Sequence, residues 1–301
     1  MMDERDALKQ KRDKQTRIRK MKMFIVGFIM IGLLISLLCN VFLIFKTISF
    51  ESRLKKVEES KASGIVSAKK SDIGTLTLSD SGTGEANLAN PNDTLKVYLT
   101  FDDGPSKNTN KILDILDDYG VKATFFVCGK QGKNAKASYK RIVNEGHTIG
   151  MHSYSHKYSD VYASLSSFKK DYDKIHDLIF DVTGVDCKLY RFPGGSSNKV
   201  SGEDMSYFIN FLNENKITYF DWNISSGDAT SKAYTSDELI ENVMNDVVKY
   251  KTSVVLMHDA DDKGATVDAL PRLIESLQSR GAIILPISDD TNLIQHVTLQ
   301  N

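Results

Sequence analysis

The chain has 301 residues, 41% of them apolar and 26% charged, which excludes wholesale disorder and leaves room for one sizeable globular domain with extensions. Lysine plus arginine balances aspartate plus glutamate at 39 each, so the chain lacks the positive excess that drives sequence-independent binding to nucleic acid. The three cysteines, Cys39, Cys128 and Cys187, are too few and too scattered for a disulfide framework; Cys128 and Cys187 border apolar runs and read as small buried hydrophobes, with a bridge between them left open.

In chain order, residues 1–22 form a basic tail with nine Lys or Arg against four acids. Met23 to Phe45 follows, 23 uncharged residues with Ser36 and Asn40 as the distinctly polar members. At about 1.5 Å per residue such a helix crosses a hydrocarbon core of about 30 Å. No small-residue cleavage site closes the run, so residues 23–45 are read as a retained transmembrane helix in the lipid bilayer and not as a secretory signal. The basic flank is expected to stay cytoplasmic, which makes the protein a single-pass cell-membrane protein with everything after Phe45 extracellular. Lys46, Arg53, Lys55 and Lys56 on the far flank reduce that asymmetry. Residues 46–94, rich in Ser, Gly, Lys and Glu, read as a stalk whose first residues (Phe50, Leu54, Val57) extend the membrane helix and whose remainder is flexible linker.

From residue 95 to residue 301 short apolar runs alternate with amphipathic segments. The predicted strands are Lys96 to Phe101, Ala123 to Val127, His147 to Met151, Lys188 to Arg191, Thr218 to Trp222, Ser253 to Met257 and Ala282 to Pro286. Between the first two, Asn110 to Tyr119 reads as a helix stopped by Gly120. Thr235-Ser-Asp-Glu238 is a capping-box pattern opening another, with Leu239, Ile240, Val243 and Val247 along one side. The alternation predicts an α/β fold, a distorted (β/α) barrel of about seven parallel strands, with an open doubly wound sheet as the alternative.

In a parallel barrel the functional groups gather where strands end. Here the strand ends carry Asp102 and Asp103, His152 and His156, Arg191, Asp228, and His258. His152 and His156 are four apart, a spacing at which one helical turn puts both imidazoles on one face. Two polar loop histidines would be the bland reading of that spacing, and a solvated turn that of the paired aspartates. Together they form a better set. Adjacent carboxylates near a strand end point in opposed directions, so one can ligate a metal while the other meets water. Two histidines and a carboxylate leave an open position on zinc, as hydrolytic zinc sites require. His258 is placed to protonate a leaving amine, and Arg191 to pair with Asp102. His147, His176 and His296 read as structural or exposed, and the tyrosines and lysines from Lys157 to Tyr172 as a solvated helix face, with contact to a glycan as the alternative.

This set and its order resemble the polysaccharide deacetylases of carbohydrate esterase family 4, the NodB-homology domain, over Leu95 to Ser288, with Thr100-Phe-Asp-Asp-Gly-Pro105 as the most specific motif. The resemblance implies Asp102 as general base, and Asp103, His152 and His156 as ligands of one divalent ion, zinc or else cobalt, nickel or manganese. It implies Arg191 as the partner of the base, His258 as general acid and Asp228 as the acid that orients it. The Gly194 N–H would bind the oxyanion, at a position where the family often has Tyr. Leu256 would form the wall around the acetyl methyl. Ala229 stands where Trp is common, with Trp222 six residues before Asp228 as the candidate groove residue, and Met151 stands where Asn is common. With the anchor, the resemblance makes the N-acetylglucosamine of peptidoglycan, a cell-wall glycan, the expected substrate, and a monomeric catalytic domain the expected form. Chitin-like oligomers, an exopolysaccharide or O-acetylated xylan are rival substrates, and a noncatalytic wall-binding membrane protein is the rival class.

Overall fold

The structure is a computed structural model that describes residues 94–299. The predicted cytoplasmic tail and transmembrane helix, and the stalk up to residue 93, lie outside the described residues, and no helix among the described residues is long and apolar enough to cross a membrane. Strands and helices alternate as β1 (Lys96–Asp102), α1 (Thr109–Asp118), β2 (Thr124–Cys128), α2 (Lys133–Asn144), β3 (Thr148–Ser153), α3 (Tyr158–Val161), α4 (Leu165–Thr183), β4 (Leu189–Tyr190), α5 (Met205–Glu214), β5 (Thr218–Tyr219), β6 (Ile224–Ser225), α6 (Ser236–Val247), β7 (Thr252–His258), α7 (Gly264–Ser279) and β8 (Ile283–Ile284).

Every strand pairing is parallel, along the path β5-β4-β3-β2-β1-β7-β6, with β8 paired to the start of β1. The two ends of that path, β5 and β6, are consecutive in the chain and joined by Phe220 to Asn223. Six steps across a flat sheet would separate them by about 29 Å at about 4.8 Å per step. Five extended residues reach only about 18 Å. The sheet therefore curls into a partly closed barrel with its gap between β5 and β6. The C-terminal segment fills that region: the Asp221 N–H donates to Ile294 O (2.7 Å), and Tyr219 Oη donates to Val297 O (2.5 Å). The strand added to the seven predicted is β6, which sequence reading missed because two residues are too few to show alternation. Predicted strands of four or five residues at β4, β5 and β8 shrink to two paired residues each.

Period-two alternation sorts β1 and β7 into two faces. Val97, Leu99, Phe101, Val255 and Met257 face the helix-covered core, whereas Tyr98 and Val254 belong to a smaller apolar cluster with Phe126, Phe220 and Ile287. On that second face the register stacks Tyr98 opposite Val254, Thr100 opposite Leu256 and Asp102 opposite His258. The barrel interior thus turns from apolar to ionic toward the strand ends.

Local signals hold where chemistry dictates them. Thr235 and Glu238 form the reciprocal capping box of α6, and Gly120 follows α1 at φ +63°. Cys128 and Cys187 are both free thiols in buried positions. The solvated-face reading of the tyrosines and lysines from Lys157 to Tyr172 fails at Tyr162 and Tyr172, which are buried with Phe168 and Asp171 because that side of the segment packs on the sheet.

Candidate metal centre

Asp102 ends β1 facing the barrel interior, and the chain then turns sharply, with Asp103 in the left-handed region at φ +77°. The turn is held on both sides. The Asp103 N–H donates to Phe126 O (3.1 Å), and the Asp259 N–H donates to Asp102 O (2.7 Å). Asp259, buried after β7, also accepts from Ser106 Oγ and Thr109 Oγ1, both at 2.5 Å. Gly104 is required here because a Cβ would collide with the Asp259 carboxylate.

The histidine loop is organised by a residue that sequence reading did not single out. Asp171, buried on α4, accepts from Ser153 Oγ (2.7 Å), the Tyr154 N–H (2.8 Å) and the Ser155 N–H (2.9 Å). Ser153 Oγ in turn accepts from the His156 N–H (2.8 Å), which helps hold His156 at φ +53°. The missed signal was an acid inside an apolar helical stripe, between Phe168 and Tyr172 and Ile175.

These loops bring Asp103 Oδ1 to 3.6 Å from His152 Nε2 and 3.1 Å from His156 Nε2. One donor atom from each of the three lies within 4.8 Å of the other two. His152 Nδ1 donates to Arg191 O (2.7 Å), which fixes the neutral ring with its lone pair on Nε2, the atom that faces Asp103. Burial lowers the His152 pKa against the pull of Asp102 and Asp103, favouring the neutral ring that a metal needs. Two imidazole nitrogens and one carboxylate oxygen, oriented this way, fit a divalent metal ion with room for further ligands.

Behind the triad lies a buried ion pair. Arg191 has no solvent exposure. It donates through Nη1 to Asp102 Oδ1 (2.9 Å) and Thr100 Oγ1 (2.6 Å), through Nε to Phe220 O (3.0 Å) and through Nη2 to Asp221 O (2.9 Å). Its guanidinium also lies 4.1 Å from the Phe126 ring centre. Engaging four of its five N–H groups is what makes a buried arginine tolerable. Burial lowers its pKa, with Asp102 opposing the shift.

Across the mouth, His258 Nδ1 donates to Asp228 Oδ1 (2.8 Å), leaving Nε2 free to face a ligand. Asp228 Oδ2 also accepts from the His258 N–H and Thr266 Oγ1, both at 2.8 Å. Burial would lower the His258 pKa, but the Asp228 hydrogen bond and charge outweigh it and raise it above the ordinary imidazole value. Leu256 is buried one step down the same strand face. Gly194 sits at φ +77° after Pro193, and its N–H has no partner among the described residues. Trp222 is tied to Arg191 (5.8 Å from ring centre to Cζ) and edge-on to His296 (4.9 Å between ring centres). His296 itself donates its N–H to Asp221 Oδ2 (2.7 Å), so it locks the C-terminal segment. From Asp103 and His156 an open cleft of about 680 Å³ runs between the β1 and β2 loops, past Lys107, Cys128, Lys130 and Asp261.

Residues 89–220 match the family model described as polysaccharide deacetylase. The putative polysaccharide deacetylase YheN of Bacillus subtilis (strain 168) is 35% identical over 191 residues, 62% of this chain and 64% of that protein, so the chain spans just under two thirds of that relative. A peptidoglycan-N-acetylglucosamine deacetylase of Bacillus cereus is 31% identical over 65% of this chain and 68% of its own length. The crystal structure of the catalytic domain of peptidoglycan N-acetylglucosamine deacetylase from Eubacterium rectale superposes with a TM-score of 0.65 at 37% identity, covering 71% of this chain and 97% of that one.

Proposed function

The chain belongs to the polysaccharide deacetylase family, and from that premise we propose that it is a metal-dependent hydrolase that removes N-acetyl groups from cell-wall N-acetylglucosamine and releases acetate. The observation that carries this reading is the convergence of Asp103, His152 and His156 between the Asp102–Arg191 pair and the His258–Asp228 pair. Zinc fits the mixed nitrogen and oxygen donor set, with cobalt, nickel or manganese as the alternatives. Once bound, the ion would polarise the amide carbonyl and acidify water.

The chain's own groups divide the remaining work. Asp102 takes a proton from the attacking water, and Arg191, holding Asp102 Oδ1, leaves Oδ2 to do so. The free Gly194 N–H donates to the carbonyl oxygen as negative charge develops there. His258 delivers a proton from Nε2 to the departing amine, and Asp228 stabilises the imidazolium that must exist first. Leu256 presents an apolar surface to the acetyl methyl, and the cleft beside Asp103 and His156 receives neighbouring sugar units.

The anchor belongs to the same proposal. Residues 23–45 span the cell membrane, and a stalk carries an extracellular, monomeric catalytic domain to the wall. Purified peptidoglycan incubated with the protein should release acetate, lose that release on chelation and regain it with added zinc. Acetate release from acetylated xylan or chitin-like oligomers in preference to peptidoglycan would reassign the substrate, and chelator-resistant release would remove the metal from the proposal.

A further inference from the structure

Tyr158 stands two residues after His156 and opens α3. Its ring meets that of His156 edge-on (5.8 Å between centres, 60° between planes) and stacks on Tyr162 (6.0 Å, 21°). Tyr162 is fixed in turn, its hydroxyl donating to Pro193 O (2.9 Å), the residue that precedes Gly194. The Tyr158 ring is therefore braced between the histidine loop and the loop that presents Gly194. Its hydroxyl lies 3.1 Å from the point a Cβ on Gly194 would occupy, with Asn198 Cβ 3.3 Å from the same point. A side chain at 194 would press on the hydroxyl.

Neither this hydroxyl nor the Gly194 N–H has a hydrogen-bond partner among the described residues, and Tyr158 is exposed, so both donors are open to a ligand. Here two unspent donors sit side by side at the edge of the triad, where the reading above puts a carbonyl oxygen. We infer that the Tyr158 hydroxyl is a second donor to the acetamido oxygen of the substrate, acting with the Gly194 N–H as its charge grows. Most of the worth of such a donor is realised in the transition state, where the oxygen is most negative. The inference rests on the deacetylase reading for the identity of the ligand, and on the Tyr158–Gly194 geometry for the donor itself.

The test uses the full-length, zinc-loaded chain and the variant Tyr158→Phe, which keeps the ring and its packing. With an N-acetylglucosamine oligomer, kcat should fall about 100-fold while KM changes less than about threefold. The Kd for acetohydroxamate, whose carbonyl oxygen mimics that of the substrate, should rise on the order of tenfold by calorimetry. Wild-type kcat and wild-type acetohydroxamate affinity in Tyr158→Phe would overturn the donor role. So would a silent Tyr158→Phe beside a Tyr158→Ala with raised KM, because the ring would then serve only as a wall. If the wild-type chain released no acetate yet bound acetohydroxamate more tightly than Tyr158→Phe, the deacetylase reading would fall and the donor would stand.

Discussion

The two faces of β1 and β7 share one backbone and one register, yet they are built for different ends. Outward, Val97, Leu99, Phe101, Val255 and Met257 are sealed under the helices without a charged group. Inward, the same strands pass from Tyr98 and Val254 through Thr100 and Leu256 to Asp102 and His258. The outward face is held by apolar burial, which is non-directional and tolerant of exchange. The inward face ends in directional contacts, where Arg191 alone makes four hydrogen bonds. Stability and chemistry should therefore separate by single-residue alternation along a strand.

The sharpest break of that separation is Asp102→Asn. Acetate release should fall on the order of 1000-fold, as loss of a general base does, while the folded state and bound metal, read by circular dichroism and plasma mass spectrometry, persist. A residual rate near wild type would remove Asp102 as the base. On the opposite face, Leu99→Ala should cost about 3 kcal/mol of stability in a urea titration. The kcat of the molecules that remain folded should not change. Equal losses of kcat in the two variants would show that the faces are not separable.

Asp171→Asn sharpens the comparison from outside the barrel, because this carboxylate touches neither face yet shapes the histidine loop. Its metal affinity should drop roughly 10- to 100-fold, measured by competition with a chromophoric chelator. An unchanged affinity would reduce Asp171 to a helix-packing residue. Asp228→Asn acts more gently and with a definite sign. The native His258 pKa is raised because Asp228 outweighs burial. Without that carboxylate the imidazolium loses its proton at lower pH, so the alkaline limb of the kcat profile should move to lower pH.

The smallest effect belongs to a histidine far from the chemistry. His147 accepts from the Ala123 N–H through Nδ1 and has no hydrogen bond at Nε2, which lies 3.8 Å from Glu145 Oε2, and burial pulls its pKa from 6.5 down to about 4. A depressed histidine favours the folded state above its unfolded pKa, and that contribution is lost as pH falls from 6.5 toward about 4. The melting temperature should decline over that window, and His147→Gln should decline less steeply than wild type.

Much of the candidate site was legible in the sequence because its residues follow strands with clear alternation and sit in motifs of fixed local spacing. The Asp-Asp step at the end of β1 read as opposed directions for Asp102 and Asp103, whereas in the structure Asp102 pairs with Arg191 and both carboxylates come within 4 Å of His152 Nε2, because Asp103 turns into the left-handed region. Supporting residues were hidden for a different reason. Asp171, Asp221 and Asp259 look like ordinary polar positions until the chain is folded, since their partners lie 16 to 18, 25 and 75, or 150 and 153 residues away.

By itself the sequence determined the parallel strand-helix alternation, the strand ends that hold the reactive groups and the capping of α6, because those follow from periodicity and from contacts between neighbours in the chain. It also held a 23-residue apolar run long enough for a membrane. Only the tertiary structure decided where the barrel stays open, that Cys128 and Cys187 remain apart as free thiols, and that Tyr158 comes to lie against Gly194. Those outcomes depend on which distant segments meet in three dimensions, and local pattern carries no information about a meeting that only the closed sheet brings about.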